Sequence, residues 1–254
     1  MSDFTITHKG GIAEYRLMRP DSRNSLTFEM YQAIEDLCEH PDEAGVIVLT
    51  AEGHKAFASG TDISNFKDFQ SAQDAINYEA LIGRVIDAVQ RSSVPVIASL
   101  HGIVAGGGAA IAAAADVRLA TPDTRFGMPI ARTLGNCLSV ANLNRLVHLL
   151  GESRTRYLML TAEFLDVESL TSSGFVSEVL ESAALCDQRA RDLAVHMTTL
   201  APLTISATRD GLARLEERPV PADIDLIQRC YLSDDFSEGV DAFFAKRKPN
   251  WSGQ

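Results

Sequence analysis

The segment Ser99-Leu-His-Gly-Ile-Val-Ala-Gly-Gly-Gly108, continued by the small-residue run Ala109 to Ala115, has the makings of a site for an oxygen that acquires negative charge. An apolar β-type stretch, Val94 to Leu100, leads toward three consecutive glycines and then into helix-forming alanines. A glycine has no Cβ, so its N–H can approach a ligand closely and its backbone can take φ values closed to other residues. A helix starting there aims its unpaired N–H groups and the positive end of its dipole at one point. A second small-residue turn, Lys55-Ala-Phe-Ala-Ser-Gly-Thr-Asp-Ile63, follows the apolar run Val46 to Thr50 and can offer one more backbone N–H. The three glycines are not followed by Gly-Lys-Ser/Thr, and no G-x-G-x-x-G stands between strand and helix. The P-loop and the dinucleotide fingerprint are thereby excluded.

The elements that must hold these turns can be read from periodicity. Phe4-Thr-Ile-Thr and Ile12-Ala-Glu-Tyr-Arg-Leu alternate around Lys9-Gly-Gly11 as a hairpin. Thr27 caps a helix from Phe28 to His40 that places Met30, Ile34, Leu37 and Cys38 on one face. Val46 to Thr50 reads as a strand buried on both faces. A helix covers about Gln73 to Gln90, with Ile76, Leu81, Ile82, Val85, Ile86 and Val89 at helical spacing. Strand Val94–Leu100, helix Gly107–Ala114 and strand Val117–Ala120 complete a strand–helix–strand alternation, which indicates a layered α/β core. After Pro129 the chain reads as helical: Cys137–Leu150, Arg154–Thr161, Ser182–Thr199, Leu203–Glu216, Asp223–Leu232 and Ser237–Arg247. A strand at Gly174–Leu180 interrupts it, and Pro219 and Pro221 break helices in the tail.

The 254 residues allow one large domain with a helical appendage, and 46% hydrophobic with 22% charged residues is the balance of a globular protein. A net charge of −11 argues against a nucleic-acid coat or a membrane-binding face. Local basic clusters, Arg16/Arg19/Arg23 and Lys246-Arg247-Lys248, suit a small polyanion such as a nucleotide phosphate or, equally, a solvated helix end. Cys38, Cys137, Cys186 and Cys230 lack CxxC spacing, so neither a zinc site nor a disulfide framework is expected. The start shows no basic region followed by an apolar core, and the longest apolar run is shorter than the ~20 residues of a bilayer span. A cytoplasmic location is the expectation.

Four segments together resemble the crotonase family of enoyl-CoA hydratases and isomerases. Ala56-Phe-Ala-Ser-Gly-Thr-Asp-Ile63 is similar to the first signature, A-F-C/S-A-G-x-D-I/L. His101-Gly-Ile-Val-Ala-Gly-Gly-Gly108 with Ala115-Asp-Val117 is similar to N-G-x-x-x-G-G-G…C-D-I/V. Arg19-Pro-Asp-Ser-Arg-Asn-Ser-Leu26 resembles R-P-x-x-x-N-A-L, and Ala242-Phe-Phe-Ala-Lys-Arg-Lys-Pro-Asn-Trp251 resembles F-x-x-K-R-x-P-x-F/W. They stand in family order and span nearly the whole chain. The resemblance implies an α/β fold, a spiral of ββα units with a C-terminal helical region. It divides the chain into a core over residues 1–195 and a helical trimerisation region over 196–254, where Leu226, Ile227, Phe243 and Phe244 are apolar. A homotrimer or homohexamer follows.

By motif position the resemblance implies an acyl-CoA thioester whose carbonyl oxygen sits between the backbone N–H groups of Thr61 and Gly107. Position 61 can then vary in side chain, whereas a side chain at 107 would intrude on the ligand. Coenzyme A is part of the substrate, with no tightly bound cofactor or metal. Its contacts would come from Arg23 near the nucleotide, from Ala58, Gly60, Asp62, Ile63 and Gly106 along the two turns, and from Phe243 and Lys246 closing over the nucleotide. Asp62 reads equally well as a loop hydrogen-bond acceptor.

Hydratases of this family use two glutamates. At the matching positions this chain has Ala110 and Ile130, which cannot transfer a proton. The loop Ala131-Arg-Thr-Leu-Gly-Asn-Cys-Leu-Ser139 offers Arg132 for an acyl carboxylate and Cys137 as a thiol near a helix start, beside Asn136 and Ser139. Cys137 reads better as a small buried residue, and His101 as a structural hydrogen-bonding group. Asp68 and Glu79 are near the acyl region in sequence only. Three functions fit: hydration or isomerisation through a thioester enolate, decarboxylation of a malonyl-type CoA, which needs no glutamate base, and acyl-CoA binding without turnover.

Overall fold

The structure is a computed structural model that describes residues 2–64, 71–133, 135–215 and 233–254. The expected helix Asp223–Leu232, with Pro219, Pro221, Leu226 and Ile227, lies outside the described residues, as does Asp68.

Strand β1 (Phe4–Lys9) pairs antiparallel with β2 (Ile12–Leu17) across Gly10 and Gly11. Helix α1 (Phe28–Glu39) begins at Thr27, whose hydroxyl accepts the Met30 N–H at 3.3 Å. Strand β3 (Val46–Ala51) is buried along its whole length. Its side chains divide by parity: Ile47 and Leu49 join the main core, while Val46 and Val48 face a second cluster with Cys186, Ala190 and Ala194. A parallel strand covered on both faces needs this continuous apolar run.

A repeated step then builds the rest. Strand β3 is followed by the short β4 (Ala56–Ala58) and helix α2 (Ala72–Arg91). Next come β5 (Val96–Leu100), β6 (Ile103–Ala105) and α3 (Gly106–Ala114). The third step is β7 (Val117–Ala120), β8 (Arg125–Gly127) and α4 (Ile130–Thr133). The first strand of each step enters one six-stranded sheet, completed by β10 (Glu178–Val179) and ordered β1-β2-β3-β5-β7-β10, and the second enters a four-stranded sheet, completed by β9 (Leu165–Asp166) and ordered β4-β6-β8-β9. The described chain continues through α5 (Val140–Leu150), α6 (Glu152–Thr161), β9 (Leu165–Asp166), α7 (Val167–Ser172), β10 (Glu178–Val179), α8 (Ala183–Met197) and α9 (Pro202–Arg214). A C-terminal helix, Asp234–Ala245, follows. Helix α8 supplies Cys186, Ala190 and Ala194 to the outer face of the large sheet. Helix α9 is tied to the core by Arg209, which donates to both carboxylate oxygens of Asp116 at 2.9 and 3.0 Å.

The structure corrects the sequence reading in several places. The apolar run before the glycines is two strands in different sheets, joined at Gly102, which has φ +55°; a Cβ there would collide with the Lys55 carbonyl. The turn expected at Lys55–Ile63 contains a strand, β4. Helix α5 starts at Val140 rather than Cys137, because Ser139 is its cap and accepts the Asn142 N–H at 3.3 Å. The strand expected over Gly174–Leu180 shrinks to Glu178–Val179.

Candidate functional site

The site forms where the ends of two neighbouring parallel strands, β4 and β6, run into their turns. Gly60 has φ +115° and Gly106 φ +53°. A Cβ built on Gly106 would lie 3.3 Å from the Gly60 Cα, so the two turns pack backbone against backbone. The loop between β2 and α1 holds the first turn. The Leu26 N–H donates to the Gly60 carbonyl at 2.8 Å, and the Asp62 N–H donates to the Leu26 carbonyl at 2.9 Å. In a parallel ladder, the residue between two such bonds turns its own N–H to the other side, which leaves the Thr61 N–H facing away from Leu26. Gly107 is the second residue of α3, and an N–H in the first turn of a helix has no acceptor within that helix. Ala105, at the cap, gives no side-chain bond either.

The loop is held by Asn24, buried and left-handed at φ 53°. Its side-chain amide donates to the carbonyls of Glu52 (3.0 Å) and Ala56 (2.8 Å), and its oxygen accepts the Arg19 N–H at 2.9 Å. Asn and Asp tolerate this conformation better than other residues with side chains.

Thr61 and Gly107 line one cavity of about 290 Å³. Its apolar wall includes Ile63, Ile82, Ala110, Met128, Pro129, Ile130 and Leu138; its polar groups include Tyr78, Glu79, Asn136 and Cys137. Three hydroxyls run in a chain behind and along it, with Tyr31 Oη 2.8 Å from Thr61 Oγ1 and Thr61 Oγ1 2.7 Å from Tyr78 Oη. Burial pushes both phenols up, so both remain protonated near neutral pH. The threonine side chain therefore has two partners that fix Thr61 in its turn.

The reason for glycine at 107 differs from the expected one. A Cβ there would overlap the Tyr31 hydroxyl and lie 3.0 Å from Tyr31 Cζ, which are protein atoms and not ligand space. Gly108 is constrained similarly, because its Cβ would collide with that of Ala58.

The other expected positions divide into two groups. Gly60, Gly106, Ile63, Ala110, Ile130 and Cys137 line the cavity with Thr61 and Gly107, and Cys137 is exposed rather than buried. Ala58 is fully buried behind α3, and Arg132 is exposed on α4 outside the cavity wall. Arg23 is exposed in a left-handed turn, and Lys246 is exposed just beyond the C-terminal helix. The Phe243 and Phe244 side chains lie outside what is described. Asp62 acts within its loop. Two bonds from Ser64, then Arg19 at 3.0 Å, hold its carboxyl below the usual range. Ser139 serves α5 as its cap. His101 is buried with neither ring nitrogen bonded among the described residues, so the expected structural hydrogen bond is not made.

Among the polar cavity residues, Tyr78 was not singled out from sequence, and Glu79 was set aside there as near the acyl region in sequence only. Glu79 lines the cavity, and burial raises its carboxyl above the ordinary glutamate value. The signal was its place at i, i+3, i+7 with Ile82 and Ile86, a carboxyl on the apolar stripe of α2.

Known proteins share the whole architecture. The sequence profile of the enoyl-CoA hydratase/isomerase family matches residues 7–254. The chain is similar to a short-chain-enoyl-CoA hydratase of Clostridium acetobutylicum, 26% identical over 98% of this chain and 97% of that one. It is also similar to a 1,2-epoxyphenylacetyl-CoA isomerase of Escherichia coli, 27% identical over 100% of both. A solved enoyl-CoA hydratase/carnithine racemase from Magnetospirillum magneticum superposes with a TM-score of 0.91 at 28% identity, covering 100% of this chain and 97% of that one.

Proposed function

This chain belongs to the enoyl-CoA hydratase/isomerase family of acyl-CoA-processing enzymes, and from that premise we propose that it holds an acyl-CoA thioester by its carbonyl oxygen between the N–H groups of Thr61 and Gly107. Removing the α-proton of a thioester, or adding to its β-carbon, drives charge onto that oxygen. A fixed donor in a site closed to water typically contributes ~3 kcal/mol to the transition state. The observation that carries this reading is the packing of Gly60 against Gly106 with both donor residues lining one cavity.

The acyl group then occupies the apolar wall around Ala110 and Ile130. Asp62 supports its turn from within, and Ala58 supports it through packing on α3. The exposed cations Arg23 and Lys246 are the phosphate partners, and Phe243 keeps the nucleotide contact that the family motif implies. No tightly bound cofactor is needed, because coenzyme A arrives with the substrate. Residues 196–254 are assigned to subunit assembly as a homotrimer or homohexamer; the exposed Leu212 (60%) and Leu215 (57%) of that region support the assignment. Among the described residues no helix is long and apolar enough to cross a membrane. The free thiols Cys38, Cys137 and Cys186 favour a reducing, cytoplasmic setting.

The test is to incubate the protein with crotonyl-CoA, trans-3-hexenoyl-CoA and methylmalonyl-CoA, following mass and absorbance. Water addition or double-bond migration is the expected result. Loss of CO2 would replace it with decarboxylation, and saturable binding without turnover would replace it with a binding role. The oxyanion assignment has its own readout. S-butyl-CoA, which lacks the carbonyl, should bind about thirtyfold more weakly than butyryl-CoA, since two hydrogen bonds at ~1 kcal/mol each are lost. Equal affinities would refute the assignment.

A further inference from the structure

We propose that Glu79, delivered from α2, is the group that carries the proton in this enzyme, and that it does so as a lone carboxyl that moves a double bond rather than adding water. The inference rests on the thioester reading above and deepens it. Among the described residues that line the cavity, Glu79 is the only carboxyl, and Ala110 and Ile130 are on the same wall with nothing to titrate. Nor is it committed elsewhere: no hydrogen bond or ion pair among the described residues engages it. A glutamate used only for solubility would sit on the outer face of its helix. This one shares the stripe of Ile82, Val85 and Ile86, which are all buried.

Its placement relative to the donors is fixed by its neighbour. Tyr78 is bonded through Thr61 Oγ1, so the start of the Glu79 turn is tied to the residue that supplies one amide. The Phe28 ring, 6.2 Å from that of Tyr78, packs the same turn against α1. The charge of Glu79 is close enough to raise both Tyr78 and Tyr31. The other titratable groups facing it are Tyr78 and Cys137 on the wall, with Tyr31 behind Thr61. Burial holds the Glu79 carboxyl above its ordinary value, which makes it a better base than a solvated glutamate once ionised.

One such group suffices for a proton shift. With a 3-enoyl-CoA thioester, the C2–H bond breaks and the proton passes to the Glu79 carboxylate. The electron pair spreads into the dienolate, whose oxygen the two amides hold. The C3=C4 pair then takes the proton from the carboxyl to form a C4–H bond, and the double bond closes between C2 and C3. The carboxylate is regenerated, and no other reactant enters. Hydration would ask one carboxyl to deprotonate water while a second returned a proton, and a lone group meets only half of that demand.

The experiment compares wild type, Glu79→Gln and Glu79→Asp with trans-3-hexenoyl-CoA in H2O and D2O, with circular dichroism confirming that each variant is folded. The expected result is isomerisation by the wild type, a fall in kcat of ~10²- to 10⁴-fold in Glu79→Gln with KM retained, and partial recovery in Glu79→Asp. The wild-type profile should rise with pH above the ordinary glutamate range, and the residual Glu79→Gln rate should lack that limb. To the extent that the Glu79 carboxyl exchanges its proton with solvent before returning it, deuterium should enter at C4 and, on reversal, at C2, and only where Glu79 is present. Wild-type turnover undiminished in Glu79→Gln overturns this proposal and leaves the thioester reading standing. Butyryl-CoA binding no tighter than that of S-butyl-CoA removes the thioester reading, and this inference falls with it. Faster hydration of crotonyl-CoA than isomerisation overturns the lone-carboxyl assignment alone.

Discussion

Replacing Gly107 with alanine tests whether Tyr31 is what requires glycine at this turn. The added Cβ would overlap the Tyr31 hydroxyl and sit 3.0 Å from Cζ, while the Thr61 oxygen is 3.4 Å away. Gly107 is not at positive φ, so alanine is not strained there by its backbone. Tyr31 is 1% exposed and cannot swing into solvent, so the ring or the α3 turn must move. Overpacking of this kind costs ~1–3 kcal/mol, and the bond from Tyr31 to Thr61, worth ~1 kcal/mol, is put at risk. Better helix propensity returns up to ~1 kcal/mol. Gly107→Ala alone should therefore destabilise by ~1–3 kcal/mol and slow turnover, because Thr61 moves with Tyr31. Tyr31→Phe alone should cost ~1 kcal/mol, since Thr61 keeps Tyr78. In the double variant the colliding oxygen is gone, and the damage should be less than the sum by ~1–2 kcal/mol, with part of the activity restored. Urea titrations followed by circular dichroism, with turnover measured alongside, give the full cycle. Additivity within ~0.5 kcal/mol would show that the hydroxyl is not what glycine accommodates.

Asn24→Ala should destabilise by ~2–4 kcal/mol, because it removes three hydrogen bonds, strands two carbonyls and leaves a left-handed backbone without its asparagine. Thermal unfolding reads the loss, and Asn24→Gly should recover only the backbone share. Among the described thiols, iodoacetamide at pH 8 should label Cys137 and spare Cys38 and Cys186, whose thiols burial pushes up to about 12 and about 11. Saturating crotonyl-CoA should protect Cys137, because it lines the cavity. Labelling indifferent to the thioester would place the acyl group elsewhere.

The two glycine turns were legible because each carries glycines whose need is local: a positive φ at Gly60 and Gly106, and close backbone contact between them. The long strand β3 and helices α1 and α2 were legible from their length and period. Strands β4, β6 and β8 were not recognised as a second sheet, since three residues are too few to show a period of two. What joins them is the Gly102 corner and a pairing between segments more than forty residues apart, neither of which local pattern reveals. Tyr31 is spaced like any core residue of α1, and only its distance to Thr61 shows that it braces the site. Glu79 carried a readable sign, but knowing that α2 turns that face toward Gly107 requires the fold.

Because both proposed donors belong to the main chain at the ends of β4 and β6, the groups proposed to receive negative charge are themselves backbone, and nearby side chains such as Tyr31 only brace them. The positions proposed to decide which atom gains or loses a proton are side chains on α2, α3 and α4. Chemistry in such a protein can be exchanged by substitutions at positions 79, 110 and 130 while the receptor for the thioester oxygen stays unaltered. A scaffold divided in this way can change its reaction in single steps, each retaining a folded protein that still binds the same class of substrate.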